Sequence, residues 1–255
     1  MTDGKKNIIP DGFYDSGTRA RFFEAIGTRR SVRAYAGAPD EKQRERLENF
    51  CASHAFPGVR VVFAQCDDGL FFSAPVVGSV IGCRLCAVLI TDRSDPRSRL
   101  YAGIAGEALT LEAVCMGLGS CWVAGSFHRG RLDVHPEKTE QIVSVIALGP
   151  AAEENTAPRR RRKLTDLCRG DPASWPLWAY HAAECVRSAP SALNRQPWRM
   201  AYAGRTLILM SAPAADDLSM GIAVLHLTLG LRDKEHQMTF GTGREVAALI
   251  AEDRV

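Results

Sequence analysis

Three clusters in this 255-residue chain combine residue types that hold small ligands. Arg29-Arg30-Ser31-Val32-Arg33 places cations and a hydroxyl just past a helical stretch. Guanidinium forks match phosphate oxygens in pairs, and a serine adds a neutral donor, so the segment suits an anion. A solvated helix terminus, where arginines are common, is the plain alternative. Arg159-Arg160-Arg161-Arg162-Lys163 is a second basic cluster, which a solvated charge run or a nucleic-acid tail would also explain. In the third, Ala189-Pro190-Ser191-Ala192-Leu193-Asn194-Arg195-Gln196-Pro197-Trp198, the carboxamides of Asn194 and Gln196 offer both donors and acceptors. Read without context, that stretch is a polar turn before a strand.

Other candidates carry less. Cys83 and Cys86 have zinc-ligand spacing, but no second pair supplies the four ligands of a structural zinc site, and they read as core thiols. His128 and His135 read as surface histidines in a polar loop. Ser120 and Ser126 lack the strand–turn–helix context of a hydrolase nucleophile. Gly117-Leu118-Gly119 is not a dinucleotide-binding glycine loop and has no βαβ surroundings. Its glycines end a helix and let backbone approach a planar ring.

The elements that must position these groups follow an α+β pattern. Helices are predicted over Arg19–Thr28, Asp40–Ala52 and Trp175–Arg187, the last entered through Asp171-Pro172-Ala173-Ser174. Strands are predicted at Val59–Ala64, within Ser79–Ile90, and at Ser120–Val123, Ile142–Leu148 and, more weakly, Arg199–Tyr202. Cys66–Gly78 reads as an inserted loop with exposed Phe71 and Phe72, Ala151–Pro158 as a linker, and Gly241–Val255 as a short final helix.

One nine-residue wording occurs twice. Gly103-Ile104-Ala105-Gly106-Glu107-Ala108-Leu109-Thr110-Leu111 recurs as Gly221-Ile222-Ala223-Val224-Leu225-His226-Leu227-Thr228-Leu229. Each copy opens an apolar helical stripe, Ile104, Ala108, Leu111, Cys115 and Leu118 in one and Leu218, Ile222, Leu225 and Leu229 in the other. Shared wording on top of shared periodicity predicts an internal duplication. Upstream, Ser53–Gly58 leads into a strand as Asn194–Trp198 does.

Composition sets the bounds. A net charge of +3 is too mild to argue for nucleic acid, and the chain is long enough to bury a large core. No run approaches the roughly 20 apolar residues of a membrane helix, and the first ten residues have no secretory core. A cytoplasmic protein is expected, with its eight cysteines unbridged.

In wording, Ala189–Trp198 resembles the AP-S-x-x-N-x-QPW segment of FMN-dependent nitroreductases, Arg29–Arg33 resembles their R-x-S-x-[KR] motif, and Gly117–Gly125 resembles their GLGSCW segment with its following small pair. In that family the first segment follows closely on the second, whereas here they lie in opposite halves. The resemblance therefore implies a nitroreductase-like α+β fold, a mixed β-sheet flanked by helices, with two related halves fused into an intrachain pseudo-dimer and the flavin between them. The halves are expected at 19–150 and 171–255, joined by a linker at 151–170 that carries the basic cluster.

The same resemblance implies the cofactor contacts. Arg29, Arg30, Ser31 and Arg33 would serve the FMN phosphate end, with Arg33 also supplying positive charge near N1 and O2 of the ring. Arg161 and Lys163 match a basic pair that closes on the phosphate. The amides of Ala124 and Gly125 would face N5 and O4. Some relatives carry Glu where Ala124 stands, so only a backbone contact carries over there. Pro190 and Ser191 would lie against the ring, and Asn194 and Gln196 would meet its uracil-like edge. No catalytic side chain and no metal is expected. NADH or NADPH would reduce the flavin and a nitroaromatic, quinone or related acceptor would reoxidise it, in a ping-pong cycle. A monomer would suffice for one site, with homodimerisation left open. A flavin-binding sensor or store without turnover is the alternative, and a nucleic-acid role for Arg159–Lys163 a third.

Overall fold

A computed structural model describes residues 7–73, 78–154, 158–213, 215–232, 236–241 and 245–250. The chain divides into two compact units, a central one of Gly27–Arg159 and a composite one of Met1–Ile26 with Arg160–Val255. Helix α1 (Ser16–Thr28) crosses the first division. Asp15 starts it by accepting from the Thr18 amide and hydroxyl, contacts that hold its carboxyl below the ordinary range.

In the central unit, helix α2 (Glu41–Ser53) is entered through Asp40, whose side chain accepts from the Gln43 amide while Gln43 reaches back, a full capping box. Strand β1 (Val59–Gln65), strand β2 (Leu85–Asp92), helix α3 (Ser98–Cys115), strand β3 (Gly119–Val123) and strand β4 (Glu140–Gly149) follow. The sheet order is β1-β2-β4-β3 and every pairing is antiparallel.

Both faces of this sheet are covered. Cys86, Val88, Ile90, Cys121, Val123, Val145 and Ala147 point into a cluster closed by Tyr35, Leu70, Phe71 and Phe127. Leu89 and Trp122, at alternate positions, face Gly106 of α3. Burial on two sides is why β2 reads as an unbroken apolar run. Phe71, expected exposed on an inserted loop, is buried in that cluster through an antiparallel bridge to Phe127, while Phe72 is exposed as expected. Cys83 and Cys86 are buried core thiols.

The composite unit continues with a short helix α4 (Leu164–Leu167), strand β5 (Cys168–Arg169), helix α5 (Leu177–Ser188), strands β6 (Trp198–Ala203) and β7 (Thr206–Ser211), helix α6 (Asp217–Gly230), and strands β8 (His236–Phe240) and β9 (Val246–Ile250). Its sheet runs β5-β6-β7-β9-β8, with β5 parallel to β6 and the rest antiparallel. The expected final helix is therefore corrected to strand β9, which pairs with β7 and β8. A closing pattern of Val246, Ala247, Leu249 and Ile250 is short and apolar, so periodicity alone did not separate strand from helix. Residues 242–244 and 251–255 of that expectation lie outside the described residues, as do 155–157 of the predicted linker and 74–77 of the expected inserted loop. The linker's start is held to the central unit, where Ala152 donates to the Ala34 carbonyl at 2.9 Å. The strands form two sheets, one in each unit, and only that of the composite unit is mixed.

Without β5, the two sheets share a plan. Each unit runs helix, strand, strand, helix, strand, strand (α2 to β4, and α5 to β9), and orders its strands first, second, fourth, third. The repeated wording falls on the second helix of each series, α3 and α6.

Candidate functional site

The basic segment after α1 divides its labour. Arg30 turns back and donates through Nη1 to the carbonyls of Gly27, Thr28 and Arg29, capping the helix end. Arg29 is buried at 3% exposure, with Nε 3.8 Å from Oε1 of Glu107 on α3. Its Nε makes no hydrogen bond. Ser31 forms a parallel bridge with Ser120 of β3, where the Val32 amide donates to the Ser120 carbonyl at 2.9 Å. The Ser120 hydroxyl is buried and also has no hydrogen-bond partner. Arg33 is exposed and has no carboxylate partner among the described residues.

Strand β3 is delivered to this corner by the glycines. Gly117 takes φ +75° at the end of α3, so that its amide donates to Val114 and that of Leu118 to Ala113, the two bonds that close a helix on a left-handed residue. Ala124 and Gly125, just past β3, are exposed, and a Cβ built on Gly125 would meet nothing within 4 Å. In the core cluster, Cys121 and Tyr35 have ionisations pushed up by burial, so both stay neutral, and the Tyr35 hydroxyl donates to the Ala147 carbonyl.

Glu107 escaped the sequence reading of this corner. Its Oε2 accepts from Nε1 of Trp122 at 3.0 Å while Oε1 faces Arg29, and its side chain is wholly buried. The signal was present: one carboxylate inside an apolar helical run demands a buried cation or donor. Glu112 is likewise buried and is met by Arg46 of α2 at 2.6 Å.

In the composite unit the structure brings two predicted clusters together. Asn194 Oδ1 accepts from Nη1 of Arg161 at 2.7 Å, and its Nδ2 donates to the Arg160 carbonyl at 2.8 Å. Arg161 also donates to the Ser188 carbonyl at the end of α5. Gln196, 1% exposed, accepts through Oε1 from the Arg162 amide at 3.1 Å, and the Ser191 hydroxyl accepts from the Gln196 amide at 2.8 Å. The carboxamides read as ligand groups thus fasten the basic segment. Pro190 is half-buried and Lys163, the N-cap of α4, is exposed.

The turn itself is unusual. Leu193, Asn194 and Gln196 take φ of 53°, 54° and 48° without glycine. A leucine held left-handed, with its side chain 47% exposed, is strain of the kind that gathers at working sites. The residue sets around Arg29 and around Asn194 belong to different units. Among the described residues no cluster of His, Cys, Asp and Glu could hold a metal ion, and no helix is long and apolar enough to cross a membrane.

Similarity to known proteins agrees with the motifs. A family model described as "Putative TM nitroreductase" matches residues 21–231. A nitroreductase structure from Thermotoga maritima MSB8 superposes with a TM-score of 0.66 at 23% identity, covering 90% of this chain and 93% of its own. A structure from Bacteroides thetaiotaomicron VPI-5482, named as an NADH dehydrogenase/NAD(P)H nitroreductase, has a TM-score of 0.48 at 18% identity over 58% of this chain and 96% of its own. One from Clostridium difficile R20291, named an FMN-dependent nitroreductase, has a TM-score of 0.41 at 18% identity over 53% and 90%. No curated protein matches the chain. With the motif segments on these elements and a family model spanning 21–231, the chain belongs to the nitroreductase family and has its α+β fold.

Proposed function

We propose that this protein is an FMN-dependent NAD(P)H oxidoreductase whose acceptor is a nitroaromatic, a quinone or a related planar oxidant. The observation that carries the reading is the pair of orphaned polar atoms beside the Ser31–Ser120 bridge. Arg29 Nε and Ser120 Oγ are buried without hydrogen-bond partners, and buried donors of this kind call for a ligand or a water. An anionic phosphate fits that donor set, although Glu107 already offsets the charge of Arg29. Arg33 then supplies a cation that no carboxylate of the described residues neutralises. The exposed Ala124–Gly125 backbone, with open space over Gly125, suits the edge of a planar ring.

When bound, FMN would supply a two-electron acceptor that takes hydride from NADH or NADPH and passes the electrons on. The chain's own part is binding and orientation. Pro190 and Ser191 line the strained turn, and Asn194 and Gln196 hold Arg161 and the Arg162 backbone in place, which makes them positioning residues in this reading. Net turnover is NAD(P)H plus a proton plus acceptor, giving NAD(P)+ and the acceptor reduced by two hydrogens.

The common strand order of the two units and the repeated helix wording support a duplication. In this reading one half keeps the Arg29–Arg33 motif and the other keeps the Asn194–Gln196 motif, and a cytoplasmic monomer is sufficient for one flavin.

The test is the visible spectrum of protein purified without added cofactor, followed by denaturation and identification of the released chromophore. About one FMN per chain, bleached by NADH or NADPH, is the expected result. Two FMN per chain would end the single-site fusion, and a yellow protein that neither nicotinamide bleaches would point to binding without turnover. Failure to take up FMN at all would sink the proposal. Arg33→Ala and Lys163→Ala should each raise the FMN dissociation constant several-fold, as loss of one charge-assisted contact implies.

A further inference from the structure

Phe72 and His128 form an exposed ring pair that the FMN reading leaves without a task. Phe71 and Phe127 are joined by an antiparallel bridge, with the Phe72 amide donating to the Ser126 carbonyl at 3.1 Å and the His128 amide to the Leu70 carbonyl at 2.9 Å. Alternation in extended backbone sends neighbours to opposite sides. Phe71 and Phe127 therefore go into the core, at 8% and 5% exposure, and Phe72 and His128 go outward. The two outward rings are diagonal neighbours with centroids 4.9 Å apart and planes inclined by 48°.

The segment that presents them is rigidly built. Arg84 grips Asp68 with two parallel bonds of 2.8 and 3.0 Å, and Arg131 meets Asp67 at 2.7 Å. Both carboxylates are held below their ordinary range by these arginines. Arg129 lies over the Phe127 ring at 5.2 Å and donates to the Ile142 carbonyl, bracing the far side. Core burial does not require Phe72, since Phe71 already fills that role, and an exposed aromatic on a braced strand is a ready stacking surface.

Its place along the chain gives it a ligand. His128 follows Gly125 by three residues, so its Cα stands no more than about 11 Å from that of Gly125, and the Phe72 ring lies 4.9 Å from the imidazole. We propose that Phe72 and His128 form the platform on which a planar aromatic electron acceptor stacks, with the imidazole as a second ring that can also donate to an acceptor oxygen. They are specificity-determining residues, not catalytic ones. This rests on the FMN reading given above, because only a ring edge at Ala124–Gly125 makes a neighbouring platform useful.

The experiment uses FMN-loaded protein and two readouts. Equilibrium dialysis of 4-nitrobenzoate against the oxidised protein measures stacking without turnover. The ratio of kcat/KM for 4-nitrobenzoate to that for ferricyanide, a compact inorganic oxidant that does not stack, measures selectivity. Phe72→Ala should weaken 4-nitrobenzoate binding about fivefold and lower the ratio by a similar factor, with Phe72→Trp restoring both. Wild-type affinity and ratio in Phe72→Ala, at wild-type FMN content, would overturn the platform and leave the cofactor reading standing. Wild-type protein that takes up no FMN would overturn both.

Discussion

Helices α3 and α6 share the wording Gly-Ile-Ala-x-x-x-Leu-Thr-Leu and the same place in their units, yet their interiors differ. The three variable positions are Gly106-Glu107-Ala108 in α3 and Val224-Leu225-His226 in α6. In α3 the glycine lets Trp122 lie against the backbone, since a Cβ there would come within 2.4 Å of the indole. The carboxylate beside it faces Arg29 and takes the indole N–H. In α6 the same positions carry apolar bulk, and His226 bonds through Nδ1 to the Cys185 carbonyl of α5 at 2.9 Å. The close approach moves to the end of the helix, where Gly230 meets Ala182. Shared positions make both helices and bury them, and the three variable ones decide whether a helix serves a charged corner or a neighbouring helix.

The largest test is to write one helix's residue into the other. Glu107→Leu, the residue of α6 at that place, strands the buried Arg29 and the Trp122 indole together. A loss of about 3–5 kcal/mol is expected, read as the denaturant midpoint of the central unit by Trp122 emission. Glu107→Gln keeps an acceptor for Trp122 and should lose less. Wild-type stability in Glu107→Leu would mean that the ion pair is dispensable and the comparison empty. Gly106→Val, again the α6 residue, forces a methyl group into the indole, and about 1–3 kcal/mol should be lost by overpacking. An unchanged emission spectrum and midpoint would show that Trp122 has room to move.

The smallest effect contrasts two left-handed turns. Gly117→Ala at φ +75° should cost about 1 kcal/mol in thermal or urea unfolding. Leu193→Gly at φ 53° should instead stabilise by up to about 1 kcal/mol, because it releases a strained leucine. Equal signs for the two would show that the Asn194 turn holds no strain.

Legibility in the sequence followed the range of the forces involved. Asp40 and Gln43 announce α2 because a capping box is complete within four residues. Gly117 announces the end of α3 for the same reason. Of the candidate site, the motifs were all visible, but their partners were not. Nothing local told that Asn194 and Gln196 would bind the backbone of Arg160 and Arg162, over thirty positions away. Likewise Phe71 and Phe72 read alike until the bridge to Phe127 sent one inward and left the other in solvent.

By itself, then, the amino-acid sequence determined the longer helices, the four strands of the central sheet, the family and the repeated helix wording, since periodicity, caps and motif wording act over a few residues. Only the tertiary structure decided that Arg29 would be buried against Glu107, that Gly241–Val255 would supply strand β9 where a helix was expected, and which carboxamides would be consumed in holding arginines. Those outcomes depend on burial and on partners distant in sequence. The free energy of a buried charge or an edge strand is settled by what lies across from it.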